Sequence, residues 1–186
     1  NNPIRKRMNL KKQNITCYVY NSMKKLITLL SLILTLNSYG QTALDLVVWE
    51  KLNEYRVESG VQPLPLDTSV YKAAYLHSKY LHDNGYPSKY PFGSGHYEEV
   101  LKKPSDRLRA QGALFISCGE NIGCFSVDQF SEDGWVDMEA VANYVVDGWI
   151  NSSGHHKLMI SPYPLSGAIG VYIGSGRVFV VLNVVN

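Results

Sequence analysis

The order of the hydrophobic patterns along the chain restricts the fold most strongly, because helical periodicity comes first and strand-like runs come last. Apolar residues recur at helical spacing in three segments, and turn residues such as Gly60 and Gly85 stand where two of the segments stop. The patterns predict three long helices, over 42–59, 68–84 and 136–150. Pro104-Ser105-Asp106 predicts a short fourth helix that ends near Gly112.

The C-terminal part of the chain has a strand pattern instead. Residues 167–173 and 178–185 are rich in β-branched side chains, and Gly174-Ser175-Gly176 between them is a hairpin signal. Helices followed by an antiparallel hairpin predict an α+β sandwich with one hydrophobic core.

The first 40 residues are predicted to be absent from the folded protein. Met23-Lys24-Lys25 precedes an almost purely apolar run over 26–36, and Ser38-Tyr39-Gly40 supplies small residues for a peptidase. This pattern is typical of a secretory signal peptide over 23–40, and the apolar run is shorter than the roughly 20 residues of a membrane span. Residues 1–22 are interpreted as sequence upstream of the true start at Met23, although a basic targeting or nucleic-acid-binding arm is the alternative. Cleavage after Gly40 predicts a secreted or periplasmic domain over 41–186.

Charge argues against nucleic acid as a partner of this domain. The whole chain has a formal net charge of +2, but seven of its 18 Lys and Arg residues and none of its 16 Asp and Glu residues fall in 1–40. Residues 41–186 therefore have 11 basic and 16 acidic residues, a net charge of −5. A basic surface of the kind that binds phosphates has no support in this composition.

Two cysteines remain after the leader is removed. Cys118 and Cys124 stand on either side of one polar motif, and in an exported chain such a pair favours a disulfide. Two buried free thiols are the alternative. Zinc binding by this pair is disfavoured, because five residues separate the thiols and no second pair exists.

Three short polar, glycine-flanked segments are the best candidates for a functional site. They contain His96, Glu120 and His155, and each lies beside a turn signal, where side chains can converge on a cleft. A short strand over 113–117 is expected to lead into Gly119-Glu120-Asn121, with Glu120 in a turn.

Taken in order, a set of motifs resembles the CAP superfamily, which comprises cysteine-rich secretory, antigen five and pathogenesis-related proteins, and is nearest to its bacterial branch. The resemblance covers nearly all of 44–184 and rests on Leu52-Asn53-Glu54-Tyr55-Arg56, Pro63-Leu64-Pro65-Leu66-Asp67, Ala73-Ala74-Tyr75-Leu76-His77-Ser78, His96, Asp106-Arg107, Gly119-Glu120-Asn121-Ile122, Gly148-Trp149-Ile150-Asn151-Ser152-Ser153-Gly154-His155 and Gly170-Val171-Tyr172.

This resemblance implies a three-layer α-β-α sandwich with a central cleft. Many members line that cleft with two histidines and two acids that can hold a divalent metal. The matching residues are His96, His155 and Glu120, whereas Ser152 stands where the second acid is expected. Two imidazoles and one carboxylate could still hold zinc with water in the fourth position.

Other polar residues have structural interpretations. His77 is expected to pack a helix, His156 to lie on the surface, and Arg107 to form a local salt bridge with Asp106, although Arg107 could also reach the cleft.

Two functions are consistent with these observations. The first is a secreted binding or interaction module for an extracytoplasmic lipid, glycan or protein, in which a metal is optional and catalysis is not expected. The alternative is a metal- or histidine-assisted hydrolase, such as a peptidase, that uses His96, Glu120 and His155 to activate water. The missing second acid and the absence of an evident nucleophile favour the first.

Overall fold

A computed structural model describes residues 42–86, 95–101, 103–132 and 134–186. Residues Gln41–Asn186 form one compact unit. The predicted signal peptide over 23–40 and the upstream residues 1–22 lie outside the described residues, so both remain predictions. Within the described part of the chain, no helix is both long and apolar enough to cross a bilayer.

The predicted helices are present, and one more follows them. The described residues form α1 (Ala43–Glu58), α2 (Thr68–Asp83), α3 (Pro104–Ala110), α4 (Met138–Ile150) and α5 (Ser153–Met159). Thr42 caps α1 in a reciprocal pair with Asp45, whose Oδ2 accepts from the Thr42 N–H at 2.6 Å. Asp67 caps α2 by accepting from the Ser69 N–H at 2.9 Å. Helix α5 contains the glycine and the two histidines of the third polar segment and was not predicted.

The strands form one three-stranded antiparallel sheet and one small hairpin. The described strands are β1 (Cys118–Ser126), β2 (Ser131–Glu132), β3 (Trp135–Val136), β4 (Ser166–Gly174) and β5 (Arg177–Val185). The sheet order is β1-β5-β4, and β2 pairs only with β3. The predicted C-terminal hairpin is therefore β4–β5, with β1 added on the far side of β5.

The predicted strand over 113–117 is wrong, because the polar motif itself forms the strand. Glu120 lies in β1 opposite Asn183 of β5 and not in a turn. Gly119 instead makes room for close packing. A Cβ on Gly119 would lie 2.4 Å from Leu158 Cδ1, whereas one on Gly123 would meet Trp149 Nε1 at an ordinary contact distance of 3.9 Å.

Helices cover both faces of the sheet, as the three-layer prediction requires. Helix α2 packs against β4 and β5 on one face, while α1 packs against α4 and β4 on the other. The central strand β5 is buried on both faces. Alternate residues of β5 enter the cluster with α1 and α4: Val178, Val180, Leu182 and Val184. The α+β, three-layer α-β-α prediction is confirmed.

Asp45 connects α1 to the sheet inside this core. Its side chain is fully buried, and Oδ1 accepts from the Val171 N–H at 2.6 Å, while Oδ2 accepts from the Tyr71 hydroxyl at 3.1 Å. Burial raises the pKa of Asp45 above its ordinary value, against the opposing effect of these hydrogen bonds.

Candidate functional site

The site lies along β1, which is an edge strand of the sheet. Loop residue His96 approaches from the α2 side and donates from Nδ1 to Glu120 Oε1 at 2.9 Å. Helix α5 approaches from the other side, where Asn121 Nδ2 donates to the His155 carbonyl at 3.0 Å. Because no further strand covers β1 among the described residues, elements from both faces of the sheet can meet there.

The backbone before His96 needs a glycine. Gly95 has a φ of 67°, a left-handed conformation, and a Cβ at this position would lie 2.1 Å from Tyr86 Cε2. The Gly95 carbonyl also accepts from His77 Nε2 at 2.9 Å. This residue therefore fixes both the direction of the chain into His96 and a contact with α2.

Glu120 is a buried carboxylate with both oxygens engaged. Its side chain is 1% exposed, Oε1 accepts from His96, and Oε2 accepts from Arg107 Nη2 at 2.6 Å. Burial raises the pKa of this carboxyl, but the hydrogen bond from His96 and the charges of Arg107 and His77 outweigh burial and lower the pKa below its ordinary value. Glu120 is therefore ionised at neutral pH.

Arg107 is part of the site, and the interpretation as a salt bridge to Asp106 is wrong. Besides Glu120, its guanidinium donates from Nη1 to the His96 carbonyl at 3.1 Å. Asp106 instead accepts from the Lys103 N–H at 3.2 Å, at the start of α3. Helix α3 thus places a buried cation beneath the His96 loop.

His77 and Glu98 also belong to the site, and sequence reasoning missed this role for both. His77 is completely buried; Nδ1 lies 2.7 Å from Glu98 Oε1, and Nε2 lies 3.8 Å from Glu120 Oε1. Both ring nitrogens face atoms that can only accept, Glu98 Oε1 and the Gly95 carbonyl. The ring therefore needs both protons to donate both bonds. In that form His77 and Arg107 balance the charges of Glu98 and Glu120.

The two histidines of the cleft differ in their environment. Since a carboxylate only accepts, His96 Nδ1 carries a proton, which leaves Nε2 as the nitrogen available to a ligand. Burial, and to a lesser extent the charge of His96, lower the pKa of His155 below its ordinary value. At neutral pH His155 is therefore a neutral ring that can donate and accept.

His156 has a structural contact, which the expectation of a surface residue did not include. It is half-buried, and its Nε2 lies 2.8 Å from the Tyr55 hydroxyl, so it joins α5 to α1. His155 and His156 are adjacent, but the His155 carbonyl accepts from Asn121 of β1, whereas the His156 ring contacts Tyr55 of α1.

Zinc does not fit the three-residue set of His96, Glu120 and His155 in this arrangement. Among residues 42–86, 95–101, 103–132 and 134–186, no three His, Cys, Asp or Glu side chains converge as metal ligands. Both oxygens of Glu120 are engaged by His96 and Arg107. Ser152 lies at the start of α5 and brings no carboxylate to the site. The positive charge beside Glu120 comes from Arg107, in the place where a metal ion would otherwise balance the carboxylate.

The predicted disulfide between Cys118 and Cys124 is not present in the structure. Both cysteines are free thiols in the same strand, β1. Six residues of extended strand separate their Cα atoms by about 20 Å, whereas a disulfide needs them within about 7 Å. Burial raises the pKa of both thiols.

A family model described as the cysteine-rich secretory protein family, CAP, matches residues 49–184. The match covers most of the chain and includes His96, Glu120 and His155. The chain belongs to the CAP family. The resemblance drawn from its motifs is confirmed.

Bacterial CAP-like proteins are among its relatives. The uncharacterized protein YkwD of Bacillus subtilis (strain 168) is 25% identical over 138 residues, which cover 74% of this chain and 46% of YkwD. The crystal structure of an extracellular protein containing an SCP domain from Bacillus anthracis str. Ames matches with a TM-score of 0.56 and 25% identity, over 75% of this chain and 39% of that chain. The chain thus spans less than half the length of either protein.

A further structure supports the fold alone. An outer surface protein of Borrelia burgdorferi has a TM-score of 0.57 and 19% identity, and the match covers 78% of this chain and 95% of that chain. A similar fold close in length to residues 41–186 therefore exists as almost a complete protein chain.

Proposed function

We propose that this CAP domain is an exported binding module whose cleft, formed by His96, Glu120 and His155, holds the polar part of a lipid or another cell-envelope component. The predicted signal peptide over 23–40 supports export. So does the likeness to the Bacillus anthracis protein, which is described as extracellular.

The observation that carries the proposal is the engagement of Glu120. A carboxylate that activates water must be reached by that water, whereas the Glu120 side chain is 1% exposed and its oxygens accept from His96 and Arg107. Glu120 instead fixes the orientation of His96, and the cleft offers His96 Nε2 and the His155 ring as neighbouring hydrogen-bonding groups. This arrangement suits recognition of hydroxyl or amide groups.

The second candidate is a histidine-assisted hydrolase. The carboxylate–imidazole pair Glu120–His96 favours it, because such a pair holds one tautomer and leaves Nε2 as a general base. The described residues place no serine, threonine or cysteine side chain in hydrogen-bond contact with His96, so this candidate lacks a nucleophile from the protein. We therefore place it second.

Extraction of ligand from the natively produced protein tests the proposal. We expect mass spectrometry of solvent extracts to show at least one envelope component with the unmodified protein that is absent from a His96→Ala/His155→Ala variant. His156→Gln is the matched control, because it changes the neighbouring residue of α5, whose contact is with Tyr55. Identical extracts from the unmodified protein and the cleft variant would contradict the proposal.

A further inference from the structure

A second group of reactive side chains lies at the β4–β5 turn. Ser175 Oγ is 3.1 Å from His82 Nε2, and His82 Nδ1 is 2.8 Å from Asp83 Oδ1. Ser175 is in the turn, whereas His82 and Asp83 are at the end of α2. Serine, imidazole and carboxylate thus form one hydrogen-bonded chain in the order used for nucleophilic catalysis.

The proton positions in this chain follow from the acceptors. Asp83 only accepts, so His82 Nδ1 donates to it, and in the neutral ring Nε2 is left with a lone pair that accepts from the Ser175 hydroxyl. Hydrogen bonds from Lys79 and then from His82 hold the pKa of Asp83 below its ordinary value, so the carboxylate stays ionised. This is the tautomer in which a histidine can take the proton of a serine.

Packing holds the His82 ring in this orientation. The ring lies against Gly174, where a Cβ would be 2.5 Å from His82 Nε2, so any larger residue would displace it. Its centroid is 4.8 Å from the Tyr172 ring and 5.7 Å from the Phe179 ring. The base is therefore positioned by three neighbours on the sheet as well as by its hydrogen bonds.

The backbone at Ser175 follows from its place in the hairpin. Among the described residues other than glycine, Ser175 alone has a positive φ, of 51°, as the first central position of a two-residue hairpin turn requires. The tight turn places the serine at the end of the sheet beside His82, whereas serine hydrolases hold their nucleophile on a strand-to-helix turn. The next residue, Gly176, is anchored by its carbonyl, which accepts from the Val127 N–H at 2.9 Å. The Gly176 N–H directly follows the serine in the chain, the sequence position that supplies an oxyanion donor in the strand-to-helix turn of serine hydrolases.

We propose that Ser175 is the nucleophile of an acyl-transfer site, with His82 as general base and Asp83 as the residue that positions it. Ser175 Oγ bonds to the carbonyl carbon of an ester, and its proton moves to His82 Nε2. The bond from that carbon to the alcohol oxygen breaks, and the alcohol leaves with the proton from His82. Water then attacks the acyl carbon and gives its proton to His82 Nε2. The bond from that carbon to Ser175 Oγ breaks, Ser175 Oγ takes the proton back from His82, and the acid is released. This activity does not depend on the cleft of His96 and His155.

One cation indicates the class of ester. The Arg177 guanidinium lies 6.0 Å from the centre of the Phe179 ring, which packs against His82, whereas the charge of Lys79 is paired with Asp83. A substrate that reaches Ser175 therefore passes the positive charge of Arg177 near the acyl group. The site suits small esters that carry a carboxylate.

Acylation by 4-nitrophenyl acetate and by 4-nitrophenyl succinate tests the proposal on the full purified chain. We expect an acyl group on the peptide that contains Ser175, formed faster with the succinate ester. Ser175→Gly should abolish this labelling without disturbing a turn that already has a positive φ. His82→Gln should slow it about a hundredfold, as expected for the loss of a general base, and Asp83→Asn should slow it by less.

Matched controls separate chemistry from folding. Ser69→Ala removes a serine whose hydroxyl donates to Asp67 at 2.6 Å, at the opposite end of α2 from His82, and should leave labelling of Ser175 unchanged. Arg177→Gln should slow the succinate reaction alone. No acyl group on Ser175 in the unmodified chain, or the same labelling rate in His82→Gln, would overturn the proposal and leave the hydrogen-bonded chain as a support for the hairpin.

Discussion

Glu120 shows how a buried carboxylate can remain charged without a metal. Its two oxygens take hydrogen bonds from His96 and Arg107, and His77 adds positive charge 3.8 Å away. Removal of one partner from a buried ion pair leaves the other charge without compensation, which costs more than the pair itself contributes. At the scale of single residues, the network around Glu120 should therefore be sensitive to any neutral substitution.

We expect Glu120→Gln to lower the free energy of unfolding by about 3 kcal/mol at pH 7, because the buried Arg107 loses its closest counter-ion. The pKa of Glu120 in the folded state lies below its ordinary value of 4.5. Its contribution is therefore complete above pH 4.5 and is lost as the pH falls through the folded-state pKa. Urea unfolding at about pH 7 and about pH 3 should show a smaller difference between protein and variant at the lower pH.

The control for this experiment is Glu99→Gln. Glu99 lies in the same loop as His96, but it is exposed, so its replacement should change stability by no more than a few tenths of a kcal/mol. An equal difference between Glu120→Gln and the unmodified protein at both pH values would contradict the ionised state assigned to Glu120.

The cysteines give a second prediction at this scale. Because Cys118 and Cys124 lie along one strand, both should be alkylated in denatured protein that has never met a reductant, and mass spectrometry of the tryptic peptides checks this. In the folded protein both should react slowly, since burial raises the pKa of each thiol. Recovery of an unlabelled peptide pair linked through Cys118 and Cys124 would contradict the structure.

At the scale of elements, Asp45 shows how one side chain can serve a helix and a sheet together. It completes the cap of α1 with Thr42 and also accepts from Val171 of β4 and Tyr71 of α2. Three elements therefore depend on one buried carboxylate.

We expect Asp45→Asn to destabilise the fold by about 2–3 kcal/mol. The carboxylate accepts from the Val171 N–H and the Tyr71 hydroxyl, and the amide N–H₂ of asparagine cannot accept either bond. The raised pKa of Asp45 gives the opposite pH dependence to Glu120. The contribution of Asp45 to the free energy of unfolding is complete below its ordinary pKa of 3.8, and it falls as the pH rises through the higher folded-state pKa. The difference between protein and variant should therefore be larger at about pH 3 than at about pH 7.

Asp137→Asn is the matched control for Asp45. Asp137 is an N-cap at the surface that accepts from the Ala140 N–H, so its replacement should cost less than about 1 kcal/mol. Equal losses from the two substitutions in urea unfolding would contradict the linking role of Asp45.

Local signals made the helices and the hairpin predictable. Thr42 and Asp67 are caps that act within their own first turns, and Ser175-Gly176 closes a hairpin between adjacent strands. Gly119 of β1 misled the prediction because it is needed for space against Leu158, which lies far away in sequence. Tertiary packing of this kind leaves no local pattern.

The same limit applied to the site. His96, Glu120 and His155 could be chosen from their motifs, but the partners of Glu120 come from two helices and a loop. His77 and Glu98 are 21 residues apart, and periodicity placed His77 on the packed face of α2 without showing that a carboxylate lies there. Two features of the sequence could have indicated this pair. His77 is a polar residue on an apolar helix face, and Glu98 follows the candidate site residue His96 by two positions.

At the scale of the whole molecule, the three-layer fold explains why the site lies where it does. The sheet has β1 at one edge, so the His96 loop on one face and α5 on the other can both reach it. The sheet ends near the β4–β5 turn, where α2 brings His82 to Ser175. The fold thus presents two separate groups of polar side chains. The group around Glu120 lies within the CAP motifs, whereas the group around Ser175 does not.

The central claim is that the His96–Glu120–His155 cleft binds and does not catalyse. Its most direct test is turnover of a broad peptide library by the purified protein and by a Glu120→Ala/His155→Ala variant, each after EDTA treatment and again with added zinc. We predict no zinc-dependent cleavage in any sample, because Glu120 is engaged by Arg107 and His96. Zinc-dependent cleavage by the unmodified protein that disappears in the variant would contradict the claim.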